Sequence, residues 1–65
     1  GSKELVADVY HSMGNRFFHR GELERAVYNY DEAIRLSPSY ATPRFNKGIA
    51  LVELGEVEQA MCWLK

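Results

Sequence analysis

The spacing of four glycines constrains this 65-residue chain more than any other feature of its sequence. Gly14 and Gly48 are 34 residues apart, and Gly21 and Gly55 are separated by the same interval. When the chain is aligned with itself at this shift, other identical pairs are Ala7/Ala41, Glu22/Glu56, Glu24/Glu58 and Ala26/Ala60. A fixed period of this length is typical of a repeated supersecondary unit. The sequence therefore predicts two copies of one unit, with the second copy cut short.

The first unit has the apolar pattern of two consecutive helices. A stripe at helical spacing predicts a helix over about residues 4–19, and its members are Val6, Tyr10, Met13, Gly14 and Phe17. Gly21 is expected to end this helix, because a left-handed residue after a helix is least costly as glycine. A second stripe consists of Leu23, Ala26, Val27, Tyr30, Ala33 and Ile34. Pro38 then breaks the chain, so the unit is predicted to be a helical hairpin.

The start of the third helix has two interpretations. The repeat register places it near Ser39 or Tyr40, with Pro43 tolerated in the first turn. Locally, Thr42 followed by Pro43 is typical of an N-cap and a first helical residue. We favour the earlier start.

A fourth helix is predicted after Gly55, which stands where Gly21 stands in the first unit. The third helix is then expected to end near Leu54 and the fourth to begin near Glu56. One apolar face of the fourth helix would consist of Val57, Ala60, Met61 and Leu64.

The 34-residue unit resembles the tetratricopeptide repeat. Its first-helix pattern of aromatic, aliphatic, glycine and aromatic residues is matched by Tyr10, Met13, Gly14 and Phe17, and its second-helix pattern with a closing proline by Ala26, Tyr30, Ala33 and Pro38. The resemblance implies an all-α fold of antiparallel helix–turn–helix hairpins from an α-solenoid, with about four helices. The second unit departs from the family pattern at Arg44 and Lys47. A generic four-helix bundle is the alternative, but it does not explain the 34-residue register.

The resemblance also divides the chain. Residues 1–2 are interpreted as an expression-tag remnant, residues 3–40 as the first repeat and residues 41–65 as a truncated second repeat. In this family the first helices of successive repeats line a groove that holds a partner peptide or helix. Carried over to this sequence, the peptide-binding groove consists of Asp8, His11, Asn15, Phe18, His19, Thr42, Phe45, Asn46, Ile49 and Val52, with Glu53 beside them.

Two alternatives concern this groove. If the third helix is rotated from the family template, Phe45 and Ile49 are buried while Arg44 and Lys47 are exposed. Some family members clamp the C-terminal carboxylate of chaperone tails with a lysine and two asparagines. Asn15 and the asparagine at position 46 match that motif, but the lysine position holds a histidine, so the match is weak.

The composition limits the classes of function that this chain can have. The 8 Lys and Arg residues balance 9 Asp and Glu residues, so we expect neither nucleic acid nor a membrane as partner. No nucleotide-binding loop, catalytic constellation or metal-ligand cluster is present in the sequence, and we therefore expect neither an enzyme nor a cofactor. The single cysteine, Cys62, suits a reducing compartment, so an intracellular, cytoplasmic location is expected.

Self-association is the second class of function that the sequence indicates. Fewer than two repeats cannot bury their apolar faces, because such arrays usually need three or more. The predicted fourth helix carries apolar residues without a polar capping helix to cover them. A homodimer through Met61, Trp63 and Leu64 is therefore expected.

Overall fold

A computed structural model describes residues 1–63 of the chain, with the backbone alone for Trp63. Its element order is three helices: α1 spans Ser2–His19, α2 spans Leu23–Leu36 and α3 spans Ala41–Trp63. No strand occurs within these residues. The all-α prediction is confirmed, and α1 and α2 form the predicted first hairpin.

The turn between α1 and α2 is fixed by Gly21. This residue has a φ of +79°, a left-handed conformation that glycine adopts without steric cost. The Gly21 amide donates to the carbonyl oxygen of Phe18 (3.0 Å), and the Glu22 amide donates to that of Phe17 (2.9 Å). These two bonds are those of a Schellman motif, which satisfies carbonyl groups at the end of a helix. The prediction that Gly21 ends the first helix is confirmed.

The α1–α2 interface depends on small residues that let the two helices approach closely. Ala7, Ala26 and Ala33 are fully buried, and Gly14 lies directly against the ring of Tyr30. A Cβ atom at position 14 would come within 2.6 Å of the Tyr30 ring, so any larger residue there displaces the ring. Tyr30 itself is 1% exposed and forms the centre of the core.

Helix α3 completes the core from the other side of α2. Ala50 is fully buried and belongs to one cluster with Ala26 and Tyr30, against which Phe17, Phe18 and Val27 pack. The connection from α2 contains a turn in which the Tyr40 amide donates to the carbonyl of Ser37. The core therefore joins all three helices around the Tyr30 ring.

Both interpretations of the α3 start place Pro43 close to the helix N-terminus. In the structure Pro43 is the third residue of α3. The helix begins at Ala41, one residue after the favoured start. Pro43 lies in the first turn, where its missing amide hydrogen breaks no helical bond, and it is buried.

The prediction of a fourth helix after Gly55 is wrong for the described residues. Helix α3 continues through Gly55 to Trp63, and Gly55 does not take the positive φ that Gly21 has. A glycine inside a helix costs about 1 kcal/mol relative to alanine, whereas a turn would break several backbone hydrogen bonds. The loss of those hydrogen bonds would be compensated only by new packing contacts. Residues 56–63, about two helical turns, would have to make these contacts on the face of α3 that carries Arg44 and Lys47. Covering these charged side chains is unfavourable, so the straight helix is preferred.

Several large apolar side chains stay exposed within the described residues. Along α3, Leu51, Val57 and Met61 are 46%, 49% and 63% exposed. At the other side of the molecule, the outer face of α1 exposes Leu5 and Val9, at 69% and 57%. Within the predicted stripe of α1, Val6 and Met13 are 44% and 38% exposed, so the stripe is only partly buried.

Candidate functional site

The predicted groove has a polar floor made by side chains from all three helices. Three predicted groove residues, His11 and Asn15 on α1 and Asn46 on α3, are within hydrogen-bond distance of one another. Tyr30 from α2 and Tyr40 from the connection before α3 join them. We call these five residues the polar network.

Asn15 and Asn46 fix the direction of the bonds in the polar network. The Oδ1 atom of Asn15 accepts from the Tyr30 hydroxyl (2.5 Å) and from Nδ2 of Asn46 (3.2 Å). The same Nδ2 of Asn46 lies 3.1 Å from Nε2 of His11, which therefore acts as the acceptor. In a neutral ring the proton then lies on Nδ1, which donates to the Tyr40 hydroxyl oxygen at 2.9 Å.

Both tyrosine hydroxyls in the polar network are held in their neutral form. Burial raises the pKa of Tyr30 above its ordinary value of 10.0. The pKa of Tyr40 is also raised, first by burial and then by its hydrogen bond to Asp8 and that carboxylate's charge. No buried polar side-chain atom in the described residues lacks a partner. The buried atoms of the polar network are thus satisfied by the protein itself.

Above this floor, a cleft of about 440 Å³ opens between α1 and α3. Tyr30 and Glu53 line this cleft together with five predicted groove residues, which are Asn15, Phe18, His19, Asn46 and Ile49. Residues of α1 and α3 that the family resemblance assigned to one groove thus line one cleft.

An exposed apolar row continues the cleft along the outside of α3. Phe45 is 71% exposed, Ile49 39% and Val52 63%. Together with Arg44, Gly48, Glu53 and Glu56, these side chains line a shallow depression. The rotated arrangement, with Phe45 and Ile49 buried, is not the one observed.

Two predicted groove residues lie apart from this cleft and this row. Asp8 lies near Tyr40 and lines a separate depression on α1 with Val9, Ser12, Met13 and Arg16. Thr42 is exposed in the first turn of α3.

The two charges that depart from the repeat pattern are both used by α3. The ammonium group of Lys47 lies 2.6 Å from the carboxylate of Asp31 on α2. The guanidinium of Arg44 donates to the carbonyl oxygen of Pro38 at 2.7 Å. Each interaction ties α3 to the preceding part of the chain, and neither points to catalysis.

Sequence reasoning did not include Tyr30 and Tyr40 in the site. Tyr30 was predicted only as a core residue of α2, yet its hydroxyl reaches the groove floor. The signal available in the sequence is chemical, since a buried tyrosine hydroxyl needs a hydrogen-bond partner. The nearest candidates for that partner were Asn15 on α1 and Asn46 on α3, and Asn15 is the one observed.

Neither a metal site nor a membrane span is found in the described part of the chain. No group of three or more His, Cys, Asp or Glu side chains between residues 1 and 63 is arranged to hold a metal ion. None of the helices within those residues is long and apolar enough to cross a membrane.

Of the residues predicted for self-association, only Met61 has a described side chain, and it is exposed. Leu64 and the side chain of Trp63 lie outside the described residues.

Comparisons with known proteins agree with the helical repeat. The TPR repeat family matches residues 14–55. A TPR repeat-containing protein of Methanocaldococcus jannaschii is 36% identical over 58 residues, which cover 89% of this chain and 17% of that protein. An uncharacterised protein of the same archaeon is 37% identical over 54 residues, covering 83% of this chain and 63% of the relative.

A third relative, the chloroplastic outer envelope protein 64 of Arabidopsis thaliana, is 37% identical over 59 residues, covering 91% of this chain and 10% of its own length. The chain thus spans less than two thirds of each relative named here. No solved structure matches the chain. Since the family match covers most of the chain, including the end of α1, all of α2 and the first part of α3, the chain belongs to the tetratricopeptide repeat family of non-catalytic, helical protein-interaction repeats.

Proposed function

We propose that this chain is a protein-interaction module that binds a peptide or helix of a partner protein in the groove between α1 and α3. The observation that supports this most directly is the row of Phe45, Ile49 and Val52, whose large apolar side chains are exposed beside a cleft. A monomeric protein rarely exposes a contiguous apolar patch without a function for it. The groove is proposed to act by binding alone, without a cofactor or a catalytic step.

Apolar contacts are proposed to supply most of the affinity. His11, Asn15 and Asn46 already bond to one another, so they offer few free hydrogen-bonding groups to a ligand. A carboxylate clamp built from them would have to break the polar network, which is costly for partly buried groups. Phe45 and Ile49 need no such rearrangement to contact a partner.

The test is a titration of a partner protein, identified by capture from the source cell, against matched variants. Phe45→Ala is expected to weaken binding by about tenfold or more, as large apolar anchors usually do. Leu51→Ala is the control, because Leu51 is an exposed apolar residue on another face of the same helix. Equal effects of the two variants, or a larger loss with Asn15→Ala than with Phe45→Ala, would contradict the apolar groove.

Self-association is the second candidate function, and the straight C-terminal half of α3 favours it. Val57 lines a depression beside the α1–α2 turn, Met61 follows it one helical turn later on α3, and both are exposed. A homodimer that covers these side chains is the simplest closed assembly. Sedimentation over a wide concentration range should show association that Met61→Glu removes and Cys62→Ser leaves unchanged. A single monomeric species at millimolar concentration would exclude this function for the chain.

A further inference from the structure

The apolar row of α3 is bordered at one end by carboxylates. Glu53 and Glu56 line the same depression as Phe45, Ile49 and Val52. Neither carboxylate forms an ion pair within the described residues, where the pairs that occur join other side chains. A partner that covers the row therefore brings its own side chains close to two carboxylates that have no ion-pair partner among residues 1–63.

The cations near the row are already engaged. Lys47 pairs with Asp31, and Arg44, at the opposite end of the row from Glu56, donates to the carbonyl of Pro38. The row is thus positive only at its N-terminal end and negative at its C-terminal end. Residues 44 to 56 span about 18 Å along a helix, so the charge pattern also gives the row a direction.

The apolar side chains have the spacing of one helix face. Phe45, Ile49 and Val52 stand at positions i, i+4 and i+7, which bring them onto one line along α3. Such a ridge is complementary to the ridges and grooves of a second helix with the same spacing.

From this geometry, and resting on the proposed function, we propose that the groove takes an amphipathic partner helix whose apolar face is flanked by lysine or arginine. Its basic end lies over Glu53 and Glu56, while its apolar side chains cover Phe45, Ile49 and Val52. The groove's own polar groups do not favour an acidic partner, because the amides of Asn15 and Asn46 are used in the polar network. Complementary charge then selects and orients the partner, and the apolar contacts hold it.

The probes for this proposal are three capped synthetic peptides of about fourteen residues, about 21 Å as helices. All three carry leucine at the same helix-face positions, and the remaining positions hold lysine, glutamate or glutamine. Binding to the 65-residue chain is measured by fluorescence anisotropy at low and at high salt. The lysine peptide is expected to bind about fivefold or more tightly than the glutamate peptide. This preference should shrink when salt is added, because exposed charges are screened.

Variants of the chain test the assigned carboxylates. Glu53→Gln with Glu56→Gln is expected to remove most of the preference for the lysine peptide. Glu24→Gln with Glu58→Gln is the matched control, since it also removes two exposed carboxylates but neither lines this depression, and it should keep the preference. Equal preference in both variants would show that net charge, and not this site, selects the peptide, which overturns the proposal.

The remaining outcomes separate this proposal from the binding function itself. If all three peptides bind equally and Phe45→Ala weakens each of them, the groove binds helices without the charge preference, and only the present proposal fails. If the glutamate peptide binds most tightly, the groove is selective in the opposite sense, and the proposal is likewise wrong. If none of the peptides binds, the proposal falls, whereas the groove function is decided by the partner titration with Phe45→Ala and Leu51→Ala.

Discussion

Gly14 and Gly48 occupy the same repeat position, yet the structure predicts opposite effects of alanine at the two sites. A Cβ atom at position 14 would lie 2.6 and 2.7 Å from two carbon atoms of the Tyr30 ring. At position 48 no heavy atom lies within 4 Å of the added Cβ. Gly14→Ala is therefore expected to destabilise the fold, and Gly48→Ala is expected to leave it intact or stabilise it.

The expected magnitude follows from three contributions to the free energy of unfolding. Replacing a helical glycine with alanine gains about 1 kcal/mol at both sites. At position 14 the displaced ring costs about 1–3 kcal/mol, as overpacked cores do. A shifted Tyr30 also strains its hydrogen bond to Asn15, which costs about 1 kcal/mol. Gly14→Ala should thus lose about 1–3 kcal/mol, while Gly48→Ala gains up to about 1 kcal/mol.

Thermal unfolding followed by far-ultraviolet circular dichroism measures this difference. In a domain of this size, 1 kcal/mol shifts Tm by about 4–8 °C, so Gly14→Ala should lower Tm by about 4 °C or more. If Gly14→Ala alone is too unstable to give a transition, the double variant Gly14→Ala with Gly48→Ala is measured and compared with Gly48→Ala. Equal shifts would refute the close approach at Gly14. A destabilising Gly48→Ala would instead show that a helix covers Gly48, as in the second hairpin that the sequence predicts.

Four further predictions concern side chains of the core and the polar network. Tyr30→Ala should cost about 3 kcal/mol or more in urea unfolding, because the ring is fully buried, and a loss within experimental noise would show that it is not core. Because the pKa of Tyr30 is raised in the folded state, its contribution is complete below pH 10.0 and is lost as pH rises through that raised pKa. Stability should therefore fall more steeply above pH 10.0 in the unmodified chain than in Tyr30→Phe, and equal slopes would contradict this assignment. Asn46→Ala should cost about 1–2 kcal/mol in the same urea assay, since it leaves His11 and Asn15 each without one partner, and no loss would mean that water replaces the amide. Lys47→Met should change stability by less than about 1 kcal/mol, because its ion pair with Asp31 is partly exposed, and a larger loss would show a stronger link between α2 and α3.

The first hairpin was predictable because its local signals agree with its packing. The stripes of α1 and α2 have helical spacing, and Gly21 supplies the left-handed residue that the turn needs. The small residues at positions 14, 26 and 33 let the two helices come into close contact. Periodicity and turn chemistry are local properties, so they can be read directly from a sequence.

The groove was only partly predictable, for a different reason. Helical spacing places His11 and Asn15 on one face of α1, and the family resemblance sets that face opposite Asn46, but neither gives the distances between side chains. Whether these groups are free for a ligand or bonded to one another depends on the angle between α1 and α3. The hydroxyls of Tyr30 and Tyr40 come from outside those two faces. They bond to Asn15 and His11 and so complete the polar network.

The difference between Gly21 and Gly55 shows what the repeat register alone cannot determine. Both glycines can form a turn, but a turn persists only if the helix after it gains enough by packing back. After Gly21, α2 packs on a face of α1 that offers Tyr10, Gly14 and Phe17. After Gly55 the corresponding face of α3 offers Arg44, Gly48 and Leu51, with Lys47 between them.

Arg44 and Lys47 therefore connect two observations that looked independent in the sequence. Both positions depart from the repeat pattern, and both side chains lie where a fourth helix would have covered them. In the structure each stays accessible to solvent and keeps a partner, Asp31 for Lys47 and the Pro38 carbonyl for Arg44. Folding residues 56–63 back would desolvate these charges, which costs more than exposed ion pairs return. The charges at these two positions thus favour the straight α3, along which Val57 and Met61 stay exposed within the described residues.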